Sequence, residues 1–582
     1  MICCAISFAI VAIISLASWL CTRVSGVLFT GGGALQPYQQ MQRDAASKYR
    51  KFKKKPKKIP FNDYCYPKSF NVQPQQAFAS EYMKPGSGHK EMLVYHKIGA
   101  GKTCLSIRVG MQWTGRGKPL YVMPASLIPG FRAELRSNCA GTDFISEEER
   151  AALREATPGS DKYRKIIEIS DKRIDKVFHI YSYNSFATAM SSGTAPDSPI
   201  IIIDEVQNVD GGGSGGGTTG VFFKHIRDYI DAHKKATVVV MSGTPIFDSP
   251  EELVNIARLL RIKIEGELTP EMIPGLFAGK VSYYEGAPSY TFPTANIKTV
   301  KCPMSAFQAR WYSSEVAAER SKQGKLKYKH VANEFYVKSR QRSNVVFPGG
   351  TTGAAGLAEL TPALIKSSLA TYSCKYAAMM HRLRKNKLSF IYSSFTGPYG
   401  ISCLRKVLHA HGYKDFAVDG PGPKRYAVFS GEETLKEKDK IRAVFNDPAN
   451  DDGSRLQIVV GSPAIKEGVS LMRVRQIHVM EMYWNHSRLA QIFGRGVRYC
   501  SHKSLPREER DVSIYLYAAV DKRKRMSERG HASMPKNKYT PEESVDMYML
   551  DIADEKRELA EPYISALIKC AVDKYIHNPG AA

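Results

Sequence analysis

From residue 61 onward, short apolar strand-like runs alternate with helical stretches, the pattern of an α/β domain built on a parallel sheet. The runs at 92–96, 120–123, 177–181, 200–203 and 237–241 form a first set. A second set follows at 388–392, 426–429, 456–460, 476–480 and 512–516. Two α/β lobes are therefore expected, over residues 61–260 and 374–520. Between them, residues 261–373 are rich in Lys, Arg, Tyr and Pro and show no clean strand series, so they read as a mostly helical insertion. Residues 521–582 read as a charged stretch followed by a helical C-terminal extension, and 1–60 as an apolar segment followed by a basic linker. The tract DGGGSGGGTTG at 210–220 has the composition of a flexible loop. No repeat of solenoid period is present.

The length of 582 residues agrees with several cores, because single cores stop growing near roughly 250–300 residues. Charge narrows the function classes: 83 Lys and Arg against 56 Asp and Glu leave +27, an excess that favours a polyanionic partner. Nucleic acid is the first candidate, an anionic membrane surface the second, and a merely solvated basic surface the plain alternative. The 11 cysteines contain no C-x-x-C pair and no zinc spacing, so neither a disulfide framework nor a structural metal is expected, and a reducing compartment is. Against that, residues 2–20 carry no charge and match the length of a membrane-spanning helix. Arg23 and the basic run at 48–58 follow it, which would leave the rest of the chain cytoplasmic. A signal anchor, a cleavable signal peptide and a true start downstream, at Met41 for example, all stay open.

Candidate chemistry begins after the run ending at His96. There Gly99, Ala100, Gly101, Lys102 and Thr103 lead into a helix-like CLSIRVGM, so a strand, a glycine-rich turn and a helix N-terminus follow in order. That geometry aims backbone N–H groups at phosphates, with Lys102 reaching the β and γ phosphates and the Thr103 hydroxyl as a magnesium ligand. His96 stands where the strict eight-residue loop has glycine. About one hundred residues later, four isoleucines end in Asp204-Glu205-Val206-Gln207. A buried parallel strand delivers such an acidic pair to the sheet edge where α/β folds hold ligands. Asp204 is then expected to hold magnesium, Glu205 to orient and deprotonate water, and Gln207 to sense the γ-phosphate or the other lobe. Ser242, Gly243 and Thr244 end the next strand and can couple the acidic group to a nucleic-acid path.

In the second lobe, QIFGRGVR reads as a helix with Gln491, Arg495 and Arg498 on one face, so both arginines can address one phosphate across a cleft, one or both as an arginine finger. Each string alone is weak, and a turn, a helix cap or surface charge would explain any one of them.

The order and spacing of these strings resemble those of superfamily 2 DEAD/SNF2-like helicases and ATPases. The branch found in nucleocytoplasmic large DNA viruses is the one they look most like. It includes the poxvirus early transcription factor small subunit and nucleoside triphosphatase I. The likeness extends to MPASLIPGFRAEL at 123–135, YSYNSF at 181–186, SRQRSNVVFP at 339–348, Ser373-Cys374-Lys375 and RGVRYCSH at 495–502. It implies two RecA-like parallel-sheet lobes with a helical insertion and a helical C-terminal segment. It also implies adenine contact by Gln75 or Gln76, and a coupling motif at Lys466, Glu467 and Gly468 within GSPAIKEGVSL. ATP and Mg2+ follow as substrate and cofactor, and nucleic acid as track, DNA ahead of RNA. Viral RNA polymerase or transcription factor subunits follow as partners, in the virion or the infected-cell cytoplasm or nucleus. Two rival classes remain: a catalytically weak structural subunit, and a motor anchored to a membrane through residues 2–20.

Overall fold

The computed structural model describes residues 36–53, 59–97, 99–156, 160–209, 219–323, 336–465, 469–521 and 544–577. In the first lobe, β1 (Glu91–His96), β2 (Leu120–Met123), β3 (His179–Ser182), β4 (Ile200–Ile203), β5 (Thr237–Ser242) and β6 (Val281–Tyr284) build one sheet. Its order is β3-β2-β4-β5-β1-β6, and every pair is parallel. Successive side chains alternate between faces. Leu93, Tyr95, Ile201, Ile203, Val238 and Val240 enter one core, while Met92, Val94, Ile200, Ile202, Val239 and Met241 enter the other. A strand covered on both faces has no polar side, which is why β4 is four isoleucines in a row.

The second sheet comprises β7 (Thr294–Pro303), β8 (Ser389–Tyr392), β9 (Lys414–Asp415), β10 (Arg425–Phe429), β11 (Ile458–Gly461), β12 (Gln476–Val479) and β13 (Asp511–Val520). Its order is β7-β13-β12-β8-β11-β10-β9, again wholly parallel.

Within 261–373, two strands lie where the sequence pattern shows none, and they correct the reading of that stretch as a helical insertion. β6 completes the first sheet beside β1, and β7 pairs along its 10 residues with β13 in the second. β7 is an edge strand with exposed Lys298 and Lys301, and polar residues on an edge hide the apolar signal of a strand. The remainder of that stretch is helical, at Ala306–Gln323, Val337–Asn344, Gly353–Glu359 and Pro362–Tyr372. The linker reading of 1–60 changes as well. Helix Pro37–Lys48 buries Tyr38, Gln42 and Ala45, and the Gln42 amide donates to the carbonyls of Lys569 and Ala571, each at 2.8 Å.

Near the C-terminus, helix Val545–Cys570 spans the molecule. Its early residues Val545, Tyr548, Met549 and Ile552 enter the second-lobe core, and Ala560, Ala566, Leu567 and Cys570 enter the first. Twenty-six residues give it roughly 39 Å of length.

Residues 2–20 lie outside the described residues. Among the described ones, no helix is long and apolar enough to cross a membrane. The cysteine reading is corrected: Cys65 is bonded to Cys500, and Cys104 to Cys139. Neither pair has a local spacing signature, because folding brings the partners together from 435 and 35 residues apart.

Candidate active site

Strands β4, β5 and β1 are neighbours and parallel, so the three segments that leave their C-terminal ends meet at one edge. After β1 the chain turns through Gly99 (φ +82°) and Gly101 (φ +75°) into helix Lys102–Met111. Only glycine adopts these conformations freely, and neighbouring side chains crowd both positions. A Cβ on Gly101 would lie 2.5 Å from Gln76 Nε2, and one on Gly99 would lie 3.3 Å from Phe292 Cζ. His96 is the last strand residue rather than part of the turn. Its ring is buried and shares a 2.9 Å hydrogen bond with Ser282, while its carbonyl accepts from Lys102 Nζ at 3.1 Å. Burial and the neighbouring His577 and Lys102 hold the imidazole far below its ordinary pKa, so it stays neutral beside the lysine.

Gln75 and Gln76 both sit beneath the loop. The amide of Gln75 donates to the Ala100 carbonyl at 3.2 Å and that of Gln76 to the Gly101 carbonyl at 3.1 Å. Both side chains are buried, and neither lines the cleft.

Asp204 follows β4, and its carboxylate accepts from the Glu205 N–H at 2.9 Å. Glu205 has φ 52° and ψ 52°, a left-handed conformation that costs a non-glycine residue on the order of 1–3 kcal/mol. The Tyr183 hydroxyl holds this turn by donating to the carbonyls of Asp204 and Glu205. From Glu205 a chain of hydrogen bonds runs to β5. Gln207 Nε2 donates to Glu205 Oε2 at 2.5 Å, Ser242 Oγ donates to Gln207 Oε1 at 2.6 Å, and Ser242 Oγ accepts from the Thr244 N–H at 2.9 Å. The serine thus reaches the acidic group through Gln207. Gly243 and Thr244 line the cleft.

The second lobe contributes helix His486–Phe493, whose N-cap Asn485 donates across to the Phe247 carbonyl of the first lobe. The helix ends at Phe493, so Gln491 lies on its last turn while Arg495 and Arg498 lie in the turn beyond, not on a shared helical face. They converge nonetheless: Arg495 Nη1 and Arg498 Nη1 each donate to the Val469 carbonyl at 3.2 Å. Arg495 Nε also donates to the Gln491 carbonyl at 3.0 Å. Burial lowers the Arg498 pKa, yet a guanidinium remains charged at any pH near neutrality. Lys466, Glu467 and Gly468 lie outside the described residues.

One cavity of about 490 Å³ brings these groups together. Gly99 to Thr103, Asp204, Glu205, Gly243 and Thr244 line it from the first lobe, and Gln491, Arg495 and Arg498 from the second. Sequence reading missed Tyr499, which lines the cavity and packs on Gly99, and it assigned no role to Tyr183. The string 181–186 marked Tyr183, but its contact is with the acidic turn. The donor set fits a nucleoside triphosphate with a hard divalent cation: a glycine cradle at a helix N-terminus, a lysine, a hydroxyl and carboxylate pair, and two guanidinium groups.

Two parallel sheets whose edges share one phosphate-suited cleft define the tandem RecA-like class. No family model matches the chain. A protein of Acanthamoeba polyphaga mimivirus, provisionally named an ATP-dependent RNA helicase, is 35% identical over 503 residues, covering 81% of this chain and 87% of its own. The African swine fever virus homologue of termination factor NPH-I is 24% identical over 514 residues, covering 75% and 70%. The Sulfolobus solfataricus SWI2/SNF2 ATPase core, solved in complex with dsDNA, is similar over 78% of this chain and 88% of its own, at 14% identity and a TM-score of 0.29. The chain belongs to the superfamily 2 helicase family of large DNA viruses.

Proposed function

We propose that this protein is a nucleic-acid-stimulated ATPase that moves along nucleic acid during viral transcription. The observation that carries the reading is the single cleft in which the phosphate loop and acidic turn of one lobe face Arg495 and Arg498 of the other. In this reading the N–H groups of the loop and Lys102 bind the phosphates, braced from below by Gln75 and Gln76. Glu205, held in its strained turn, orients the attacking water and accepts its proton. Magnesium, when bound by Thr103 and Asp204, neutralises charge on the phosphates. Arg495 and Arg498 stabilise the charge of the transferring phosphoryl and report its loss to the second lobe through Val469. Gln207, bonded to both Glu205 and Ser242, couples water activation to the Ser242–Thr244 segment. The transcription role has support from the African swine fever virus relative, named for a termination factor. The resemblance puts DNA ahead of RNA as the track, whereas the mimivirus relative is named for RNA.

Substitution separates the roles. Lys102→Ala is expected to abolish turnover while leaving the far-UV spectrum unchanged, and retained turnover would refute the phosphate-loop assignment. Arg495→Ala and Arg498→Ala are expected to lower kcat by about 10³-fold or more with little change in ATP affinity. A pure loss of affinity would contradict a transition-state role.

A further inference from the structure

The Cys65–Cys500 bond ties the segment that leads into the first lobe to the second lobe, at a point where three segments of chain meet. Cys500 lies two residues beyond Arg498, and Cys65 ends helix Phe61–Cys65, upstream of the glutamines that brace the phosphate loop. The stretch 59–66 lies along the second lobe. The Tyr64 carbonyl accepts from the Tyr499 hydroxyl at 2.7 Å, and the Cys65 carbonyl accepts from Lys503 Nζ at 3.0 Å. Arg510 covers the Phe61 ring at 3.9 Å and Lys503 covers Tyr66 at 4.5 Å. The third segment, 285–293, connects β6 of the first sheet to β7 of the second. It is tied to both of the others. The Tyr290 hydroxyl donates to the Ile59 carbonyl at 2.5 Å, and the Cys500 N–H donates to the Thr291 carbonyl at 2.8 Å.

Hydrogen bonds and ring contacts like these can yield when two lobes part, whereas a disulfide cannot. We propose that Cys65 and Cys500 form a reversible thiol–disulfide site that holds the lobes together when oxidised and releases them when reduced. The inference rests on the ATPase reading, because arrest matters only if lobe movement accompanies turnover. A low-molecular-weight disulfide such as glutathione disulfide supplies the oxidant. One cysteine thiolate attacks it, forming a mixed disulfide and expelling one glutathione thiolate. The second cysteine thiolate then attacks the protein sulfur and expels the other. Two protein thiols become one disulfide, one glutathione disulfide becomes two glutathiones, and the two thiol protons pass to the leaving thiolates. Both cysteines are buried, so oxidant enters when the lobes part, and the second step captures them as they come together. Cys104–Cys139 lies within the first lobe and cannot make this cross-link, which makes it an internal control.

The test uses the full chain, reduced with dithiothreitol or equilibrated with glutathione disulfide, with the Cys65–Cys500 peptide pair scored by non-reducing mass spectrometry. Oxidation is expected to slow ATP turnover at least about fivefold, reversibly, and to slow amide exchange in 285–293. Cys65→Ser and Cys500→Ser should show neither effect. Four results would overturn the proposal: no cross-link under oxidation, undiminished turnover with the cross-link formed, the same loss of turnover in Cys65→Ser, or equal exchange in both redox states. Absence of turnover from the reduced protein would instead count against the ATPase reading, and the exchange comparison would still decide the lock.

Discussion

Ser242, Gln207 and Glu205 form one hydrogen-bonded chain that ties the acidic turn to the neighbouring strand. Its atoms meet across 35 residues through the parallel register of β4 and β5. The role of His96 is hidden in the sequence because its partner Ser282 lies on β6. His502, inside the string 495–502, leads to a prediction about acid. Burial, opposed in part by its hydrogen bond to the Val474 carbonyl, lowers the His502 imidazole from 6.5 to about 4. The folded state therefore refuses a proton that the unfolded chain accepts. Its contribution to stability is complete above 6.5 and is lost as pH falls from there towards about 4. His502→Gln keeps a donor for Val474 but has no such proton to refuse. Between pH 7.5 and 4.5 the wild type should lose about 2–3 kcal/mol more stability than the variant in urea unfolding. Parallel losses in the two proteins would contradict this.

Among elements, the strands most legible in sequence are those buried on both faces. β1, β2, β4, β5, β8, β10, β11 and β12 are short apolar runs, whereas β7 and the two-residue β9 lie at sheet edges and carry polar residues. The helix Val545–Cys570 was expected as a C-terminal segment, but its span across both lobes was not, because its two apolar ends differ only in what they meet. Its anchor in the second lobe is an ion pair: Lys375 Nζ lies 2.7 Å from Asp546 Oδ2, with both side chains almost wholly buried. Ser343 Oγ, Asn344 Oδ1 and the Met480 carbonyl complete the ring of acceptors around Lys375 Nζ, which share its three N–H groups with Asp546, and Asp546 accepts from the Ala519 N–H at 2.9 Å. Here the family string Ser373-Cys374-Lys375 acquires a physical reason: it docks the C-terminal helix. Asp546→Ala leaves an ammonium buried without its counter-charge and should destabilise the second lobe by about 3–5 kcal/mol, seen as an early thermal transition. The double change Lys375→Met with Asp546→Leu should recover much of that loss. Equal destabilisation by the single and double changes would mean that packing, not the ion pair, holds the helix.

For the whole molecule, the two lobes, the bridging helix and the strap at 59–66 place the described candidates on one cavity between sheets, except the buried Gln75, Gln76, Gln207 and Ser242 behind it. That assembly explains why four strings, each weak alone, could be read together from their order. It also accounts for what order could not convey, namely which residues of one lobe face which of the other. The charge of +27 belongs to this scale, since a polyanion held through its phosphates is bound by the summed field and released by salt. The most direct test of the account is ATP turnover by the reduced full-length protein with no polymer, single-stranded DNA, duplex DNA or RNA, at low and high salt. The account predicts that at least one polymer raises turnover about tenfold or more and that the stimulation falls as salt rises. Turnover that no polymer alters, from protein shown to bind that polymer, would contradict it.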